Sequence, residues 1–257
     1  MCNLYTMTAT VDEIRRVFGA FEGDRDNFPA YDEIYPGRPA PVLRRGAGGE
    51  RRAGLTLEMM TWGFPGPAAA KGRAVTNIRN LDSPFWRSAL NNVERRCIVP
   101  VTRFCEWTAE PDPETKRKRK VWFGLHPSER QEEEPLFAFA GLWRPGEGGP
   151  YMAFLTCAAN ALVGAVHPKA MPVMLRAPDA LAWLDHDRES ACALAQPFAD
   201  ADMRIIHTAR GGSNRESDHG QGRDCEERFR EKEEEGPARG DGIGENQGQE
   251  GQGVQGQ

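Results

Sequence analysis

The fold class is decided by the segment Arg95-Arg96-Cys97-Ile98-Val99-Pro100-Val101-Thr102-Arg103-Phe104-Cys105-Glu106-Trp107. Two short runs within it, residues 97–100 and 104–107, are rich in apolar, β-branched and aromatic side chains, a composition typical of strands. We therefore predict two consecutive β-strands here. Glu106 places an acid inside the second, aromatic run, where it is either an outward-facing strand residue or a functional group.

Further strands are predicted on both sides of this segment, at residues 2–6, 41–45, 55–63, 121–125, 136–142, 151–156, 171–175 and 204–206. Helices are fewer: one is capped by Thr10, one starts at Ser83-Pro84, and two follow at residues 178–184 and 190–196. Residues 22–40 are rich in Pro, Gly and Asp and are predicted to form a loop. Because strands outnumber helices and do not alternate with them, we predict one α+β domain. It is built on a curved, mostly antiparallel sheet or open barrel with flanking helices.

The apolar pattern ends near Ile206, which sets the expected domain boundary. Residues 1–209 are assigned to the domain, and residues 210–257, rich in Gly, Glu and Gln, are predicted to be a disordered tail. The formal charge of −5 lies wholly in that tail, which carries 7 basic and 12 acidic residues, whereas residues 1–209 balance at 26 against 26. The acidity of the whole chain is therefore a poor argument against an anionic ligand.

The sequence also bears on compartment and cofactors. No run of about 18 apolar residues indicates a membrane segment, and the start Met1-Cys2-Asn3-Leu4 lacks the charged and apolar regions of a signal peptide. The six cysteines show no C-x-x-C spacing, so neither structural zinc nor disulfides are expected. We expect a cytoplasmic monomer with no metal and no small-molecule cofactor.

Five consecutive positive residues, Lys116-Arg117-Lys118-Arg119-Lys120, lie between two predicted strands. Like charges repel one another, so the segment favours surroundings rich in water or in anions. It is either a solvated hairpin tip or a loop that contacts phosphate groups.

Cys2 becomes the first residue if the initiator Met1 is removed, a step that requires a small second residue. It then carries an α-amine with a pKa of about 7.7–8.0 next to a thiol with a pKa of about 8.5. An aldehyde forms a Schiff base with such an amine, and the thiolate then closes on the imine carbon to give a five-membered thiazolidine ring. An internal cysteine cannot do this. The alternative is that Cys2 is only a small buried residue in an edge strand.

Two other patches carry chemically versatile residues. Thr76-Asn77-Ile78-Arg79 follows the basic loop Ala70-Lys71-Gly72-Arg73, and residues 152–176 include His167-Pro168-Lys169. Each has a simple structural alternative, with Asn77 as a turn cap and His167 as a hydrogen-bonded loop histidine.

Together with Met1-Cys2, these segments resemble the SRAP proteins, named for the SOS response-associated peptidase domain. The resemblance covers about residues 2–207 and rests on motifs in family order and spacing: Trp62-Gly63-Phe64, Asn77-x-Arg79, Arg95-Arg96-Cys97-Ile98-Val99-Pro100, Phe104-Cys105-Glu106-Trp107 and His167-Pro168-Lys169-Ala170-Met171-Pro172-Val173. It implies a protein of the DNA damage response that senses abasic sites in single-stranded DNA and cross-links to them covalently. It also implies association with the nucleoid when DNA is damaged.

The resemblance implies a role for each matched residue. Cys2 would form the ring, Glu106 would move protons during Schiff-base formation and closure, and His167 would assist opening of the abasic sugar. Asn77 would orient the N-terminal residue, and Arg79 would hold a flanking phosphate. Contacts to DNA are also expected from Trp62, Arg73, Trp107, Thr156 and Lys169.

The sequence departs from the family pattern at three places that affect DNA contacts. Asn3-Leu4 stands where members often have Gly-Arg, and residues 65–70 lack the second aromatic side chain that often wedges against bases. Lys169-Ala170 stands where an arginine often precedes Met-Pro-Val, and lysine meets phosphate as a point charge rather than as a bidentate fork. None of these changes falls on the four residues with implied catalytic roles.

Two other functions stay open on the sequence alone. The family name records a peptidase, and removal of Met1 could be autocatalytic, with Glu106 and His167 able to support it. A non-catalytic single-strand-binding module would instead use Trp62, Trp107 and the basic loops for stacking and phosphate contacts.

Overall fold

A computed structural model of the chain describes residues 2–23, 28–46, 54–66, 72–127 and 134–206. The predicted tail lies outside these ranges. The strands are β1 (Leu4–Met7), β2 (Phe21–Glu22), β3 (Tyr31–Ile34), β4 (Pro39–Arg45), β5 (Leu55–Trp62), β6 (Asn77–Ile78), β7 (Arg96–Val101), β8 (Arg103–Trp107), β9 (Lys120–Leu125), β10 (Phe137–Arg144), β11 (Tyr151–Cys157), β12 (Met171–Pro172), β13 (Met174–Leu175) and β14 (Met203–Ile206). The helices are α1 (Val11–Phe18), α2 (Pro84–Asn91), α3 (Ala161–Gly164), α4 (Ala177–Asp185) and α5 (Arg188–Ala193).

The strands form two sheets, which are largely antiparallel. The smaller sheet has the order β14-β9-β8-β1-β3, and the larger has the order β12-β11-β10-β7-β4-β5-β2, with β13 added on β10 and β6 on β11. A further parallel pairing joins β11 to β5, with Tyr151 opposite Thr61, and so curves the larger sheet. The predicted α+β class with a curved, mostly antiparallel sheet is confirmed, although the strands are shared between two sheets.

The core lies on the larger sheet, where every residue of β7 is buried. Aromatic rings connect it to β1: the ring of Tyr5 is 5.2 Å from Trp62 and 5.9 Å from Phe139, both in edge-to-face geometry. Trp62 in turn lies 5.0 Å from Phe154. Such pairs contribute about 0.5–1.5 kcal/mol each beyond their burial. The rings therefore anchor the first strand, and with it the start of the chain, against the centre of the domain.

The helix that follows β1 is set by its sequence, as predicted. The hydroxyl of Thr10 accepts from the backbone N–H of Glu13 at 3.2 Å, and the Glu13 carboxylate accepts from the backbone N–H of Thr10, which completes a capping box. Ile14 and Phe18 are buried on one face. At α2, Pro84 occupies the first turn as predicted, but Ser83 makes no side-chain cap hydrogen bond.

The structure differs from the sequence predictions at residues 22–40 and at residues 171–175. The composition of residues 22–40 predicts a loop, but they include β3, whose Asp32 and Glu33 are poor strand formers that an exposed sheet edge tolerates. The predicted strand at 171–175 is broken at Val173. Its N–H donates to Leu155 on β11 at 2.9 Å and its carbonyl accepts from Ala140 on β10 at 3.1 Å, so the chain changes partner there.

Candidate active site

The pairing of β1 with β8 determines what surrounds the start of the chain. These strands are antiparallel, with Leu4 opposite Cys105 and Tyr5 opposite Phe104. Continuing that register toward the N-terminus brings Cys2 to the end of β8, beside Glu106 and Trp107. Cys2 is fully buried there.

Asn77 contacts Cys2 directly from the other sheet. Its Nδ2 donates to the backbone carbonyl of Cys2 at 3.1 Å and to the hydroxyl of Thr76 at 2.9 Å. The strand β6 that carries it runs parallel to β11, with Asn77 opposite Phe154. The Oδ1 of Asn77 is buried and has no hydrogen-bond partner among the described residues. Asn77 is therefore hydrogen-bonded to Cys2, and the same amide retains a buried acceptor.

The Glu106 carboxyl and the Cys2 thiol are close enough to influence each other. Glu106 is only 2% exposed, and burial raises the pKa of its carboxyl to about 7. Burial also raises the pKa of the Cys2 thiol well above its ordinary value, and the negative charge of Glu106 raises it further. Near neutral pH the site therefore holds a protonated thiol beside a carboxyl group that can give or take a proton.

His167 lies in the turn after α3 and is half-buried. Its backbone N–H donates to Val163 at 2.8 Å. Asn160 caps this helix by accepting from the N–H of Val163 at 2.9 Å and donates to the carbonyl of Phe198 at 2.8 Å. Burial lowers the pKa of His167, and nearby positive charges, including those of Lys169 and Lys118, lower it further. The lowered pKa favours the neutral imidazole at pH 7.

Arg79 connects the His167 turn to the strand that holds Asn77. Its Nη1 donates to the backbone carbonyl of Cys157, at the end of β11, at 3.1 Å and to that of Lys169 at 2.8 Å. The Nη1 group of Arg79 therefore donates hydrogen bonds within the protein, while the residue as a whole stays exposed. Arg79 therefore stabilises the protein itself, in addition to any contact that it makes with phosphate.

The other residues with predicted DNA contacts differ in accessibility. Trp62 is fully buried and its Nε1 donates to Thr76 at 3.0 Å, so its ring cannot stack on a base and serves the core instead. Thr156 is also buried, with its hydroxyl 3.4 Å from the carbonyl of Ile78. Trp107 is half-buried, and Arg73 and Lys169 are exposed.

Three buried features of the site region were not predicted. Asn160 is the cap that orders the His167 turn, and its position just before Ala-Leu-Val was the available signal for a helix start. Tyr5 has a buried hydroxyl with no hydrogen-bond partner among the described residues. Burial raises the pKa of this hydroxyl, and the negative charge of a Cys2 thiolate raises it further. Leu4 packs with Cys105 and Trp122 in a small cluster, so an apolar contact occupies the position where the family often has arginine.

No group of three His, Cys, Asp or Glu side chains that could hold a metal ion occurs in the described ranges. The same part of the chain contains no helix long and apolar enough to cross a membrane.

Comparison with known proteins decides the family. The model of the SOS response associated peptidase (SRAP) family matches residues 1–210. The chain belongs to the SRAP family. SRAP relatives include the abasic site processing protein YoqW of Bacillus subtilis strain 168, 27% identical over 225 residues, which cover 81% of this chain and 92% of the relative. Another is the abasic site processing protein YoaM of the same strain, 26% identical over 230 residues, which cover 81% and 91%.

Two solved structures share the fold of this chain. A protein from Bordetella bronchiseptica aligns with a TM-score of 0.60 at 18% identity, covering 80% of this chain and 100% of its own. A protein from Bacteroides thetaiotaomicron aligns with a TM-score of 0.61 at 19% identity, covering 80% and 92%. At these identities the likeness concerns the fold alone.

Proposed function

We propose that this SRAP protein processes abasic sites in single-stranded DNA by forming a covalent thiazolidine between Cys2 and the abasic sugar after Met1 is removed. The observation that carries the proposal is the joint contact at Cys2. Asn77 holds its carbonyl at 3.1 Å, and the charge of Glu106 acts on its thiol. The names of YoqW and YoaM, which describe abasic site processing, agree with this substrate.

The first step exposes the aldehyde. An abasic deoxyribose is mostly a closed hemiacetal, which opens when the C1′ hydroxyl loses its proton and the ring oxygen gains one. A neutral imidazole can accept the first proton and return one to the ring oxygen, so the lowered pKa of His167 suits this exchange. The open form presents the C1′ aldehyde to the amine of Cys2.

The next steps form the ring. The Cys2 amine adds to C1′, and the resulting carbinolamine loses water to give an imine. The thiol sulfur then adds to the same carbon, while its proton passes to the imine nitrogen. Glu106, with a pKa of about 7, can protonate the departing hydroxyl and then take the thiol proton. The net reaction joins aldehyde and aminothiol and releases one water.

Asn77 orients the nucleophile in this scheme. The carbonyl and the freed amine belong to the same residue, so fixing one restricts the position of the other. The buried Oδ1 of Asn77 provides an acceptor for an N–H of that amine. An amine held in this way directs its lone pair toward the incoming aldehyde.

The test combines a denaturing gel with intact mass. Protein incubated with an abasic single strand should give an adduct whose mass equals protein without Met1 plus DNA minus one water. Cys2→Ala should abolish it, and Cys192→Ala, which removes a thiol on α5, should not. Retention of Met1 in the cross-linked species, or an adduct that survives Cys2→Ala, contradicts the proposal.

A further inference from the structure

The loop of residues 108–119 joins β8, the strand of Glu106, to β9. Its two ends are closed by hydrogen bonds between Thr108 and Arg119: the N–H of Thr108 donates to the carbonyl of Arg119 at 3.0 Å, and the N–H of Arg119 donates to the Thr108 hydroxyl at 3.0 Å. The loop is therefore a closed hairpin that projects from the strand bearing a candidate catalytic residue.

Asp112 orders the inside of this hairpin. Its carboxylate accepts from the backbone N–H groups of Glu114 and Thr115, both at 3.0 Å, and these bonds lower its pKa. Its own N–H donates to Arg117 at 2.8 Å, and its carbonyl accepts from Lys116, which has a left-handed φ of 58°. The tip therefore has a defined conformation, and its acid is engaged by backbone amides.

The five positive charges differ in their surroundings, and Arg119 pairs with Asp112 inside the hairpin at 3.8 Å. Lys120 pairs with Glu33 at 2.6 Å and lies 5.6 Å from the ring of Trp107, so it belongs to the sheet. Lys116, Arg117 and Lys118 are exposed, and no described carboxylate lies within ion-pair distance of them. Three adjacent cations held on a closed hairpin repel one another, and a polyanion relieves that repulsion.

The hairpin begins directly after the strand that carries Glu106. Trp107 is the residue after Glu106 and pairs directly with Lys120 at the hairpin base. The charge of Lys118 reaches His167, whose pKa is lowered first by burial and then by positive charges that include Lys169 and Lys118. The charges of Lys118 and Lys169, from distant parts of the sequence, therefore both act on the imidazole of His167.

We propose that the hairpin of residues 108–119 is a phosphate-binding loop, in which Lys116, Arg117 and Lys118 hold the sugar–phosphate backbone of the single strand next to the site. This inference rests on the proposed function for the identity of its ligand. Phosphates contacted by lysine and arginine release counterions, which makes binding salt-dependent and independent of base sequence. The half-buried ring of Trp107 at the hairpin base offers the adjoining surface for a base.

The test measures affinity for an unmodified oligothymidine across a salt series. The hairpin variant Lys116→Gln/Arg117→Gln/Lys118→Gln is compared with a control of equal charge, Arg16→Gln/Arg176→Gln/Arg188→Gln, on α1 and at the starts of α4 and α5. Removing a cation that neutralises one phosphate should flatten the slope of log K against log salt by about 0.7. We expect a flattening of about 0.7 to 2 for the hairpin variant and a smaller change for the control. Equal slopes and affinities for the two variants overturn the inference.

A second measurement separates binding from chemistry. With abasic DNA at saturation and at pH 8, where His167 is neutral in both proteins, the hairpin variant should form adduct at the wild-type maximal rate. The DNA concentration for half-maximal rate should rise several-fold. A lower maximal rate with unchanged half-saturation contradicts a binding role. If the salt slope depends on the hairpin but no adduct forms, the proposed function fails while the hairpin inference stands. If an adduct forms on Cys2 but the salt slope does not depend on the hairpin, the hairpin inference fails while the proposed function stands.

Discussion

Asn77 donates a hydrogen bond from Nδ2 to the backbone carbonyl of Cys2 across 75 positions of sequence, at 3.1 Å. The contact joins β6, on the larger sheet, to the residue that precedes β1, on the smaller sheet. The position of Cys2 therefore depends on the way the two sheets pack. In the proposed reaction this contact would position Cys2 as the nucleophile, and small displacements of a reacting group reduce the rate strongly.

Asn77→Ala should slow adduct formation more than it destabilises the fold. Loss of the bond to the Cys2 carbonyl frees the nucleophile, and we expect a reduction of up to about 10²-fold in rate. The free energy of unfolding should fall by about 1–3 kcal/mol, the net value of the two hydrogen bonds that Asn77 donates to Cys2 and Thr76. Thr76→Val is the matched control, because it removes only the second bond of Asn77. Rates that fall equally in the two variants would assign the effect to Thr76 and not to Cys2.

Glu106 should make the fold less stable at high pH. Burial raises its folded-state pKa from 4.5 to about 7, so the folded protein binds this proton more tightly than the unfolded chain. Its contribution is most favourable below pH 4.5 and is lost as the pH rises to about 7, by up to about 3 kcal/mol at 1.36 kcal/mol per pKa unit.

Glu106→Gln tests this pH dependence, because the amide has no charge to bury. In urea unfolding the variant should exceed the wild type in stability at pH 8 and match it more closely at pH 4. The exposed Glu110→Gln provides the control and should change neither value. An advantage of Glu106→Gln that is the same at both pH values would show that the carboxyl does not titrate on unfolding.

The sequence was sufficient to predict those helices and strands that carry a signal within their own residues. The sequence predicts helix α1 from its Thr10 cap and its apolar periodicity, and it predicts β7 and β8 from their apolar runs. β6 was missed, because two residues carry no periodicity and the strand exists only through its parallel pairing with β11. The change of strand partner at Val173 was missed for the same reason, because it depends on hydrogen bonds to both β10 and β11.

The site was predicted from residue types in family order, and physical contacts then separated the candidates. Trp62 has an aromatic side chain of the kind that can stack on a base, yet it is packed against the rings of Tyr5 and Phe154. Nothing local distinguishes it from Trp107, which stays half-buried because it lies at the end of its strand. Burial of a side chain is decided by packing between distant segments, so a single sequence does not reveal it.

Arg79→Ala should weaken DNA binding and loosen the His167 turn together. The side chain donates to the carbonyls of Cys157 and Lys169, and a phosphate contact would use its remaining donors. We expect the salt slope for an unmodified single strand to flatten by about 0.7 and thermal stability to fall. Arg79→Lys separates the two roles, because it keeps the charge but cannot replace the carbonyl contacts in the same geometry. An unchanged slope in Arg79→Ala would remove this residue from the DNA interface.

The last prediction concerns how Glu106 and His167 divide the proton transfers. Opening the abasic sugar needs a proton moved from the C1′ hydroxyl to the ring oxygen, which suits a neutral His167. Forming the imine and closing the thiazolidine need protons moved between oxygen, sulfur and nitrogen at Cys2, where Glu106 lies. With an abasic single strand, both Glu106→Gln and His167→Ala should therefore slow adduct formation, each by about 10²–10⁴-fold.

A small linear aldehyde distinguishes the two roles, because it needs no ring opening. His167→Ala should react with it at nearly the wild-type rate, whereas Glu106→Gln should stay slow. Cys2→Ser should stop at a Schiff base that borohydride traps, since a hydroxyl closes the ring less readily than a thiol. Mass spectrometry of the product follows each stage: the wild type gives a borohydride-resistant adduct, and Cys2→Ser gives one only after reduction. Equal slowing of Glu106→Gln and His167→Ala on the linear aldehyde would contradict the division, because His167 would then act on a step after ring opening or through the structure of its turn.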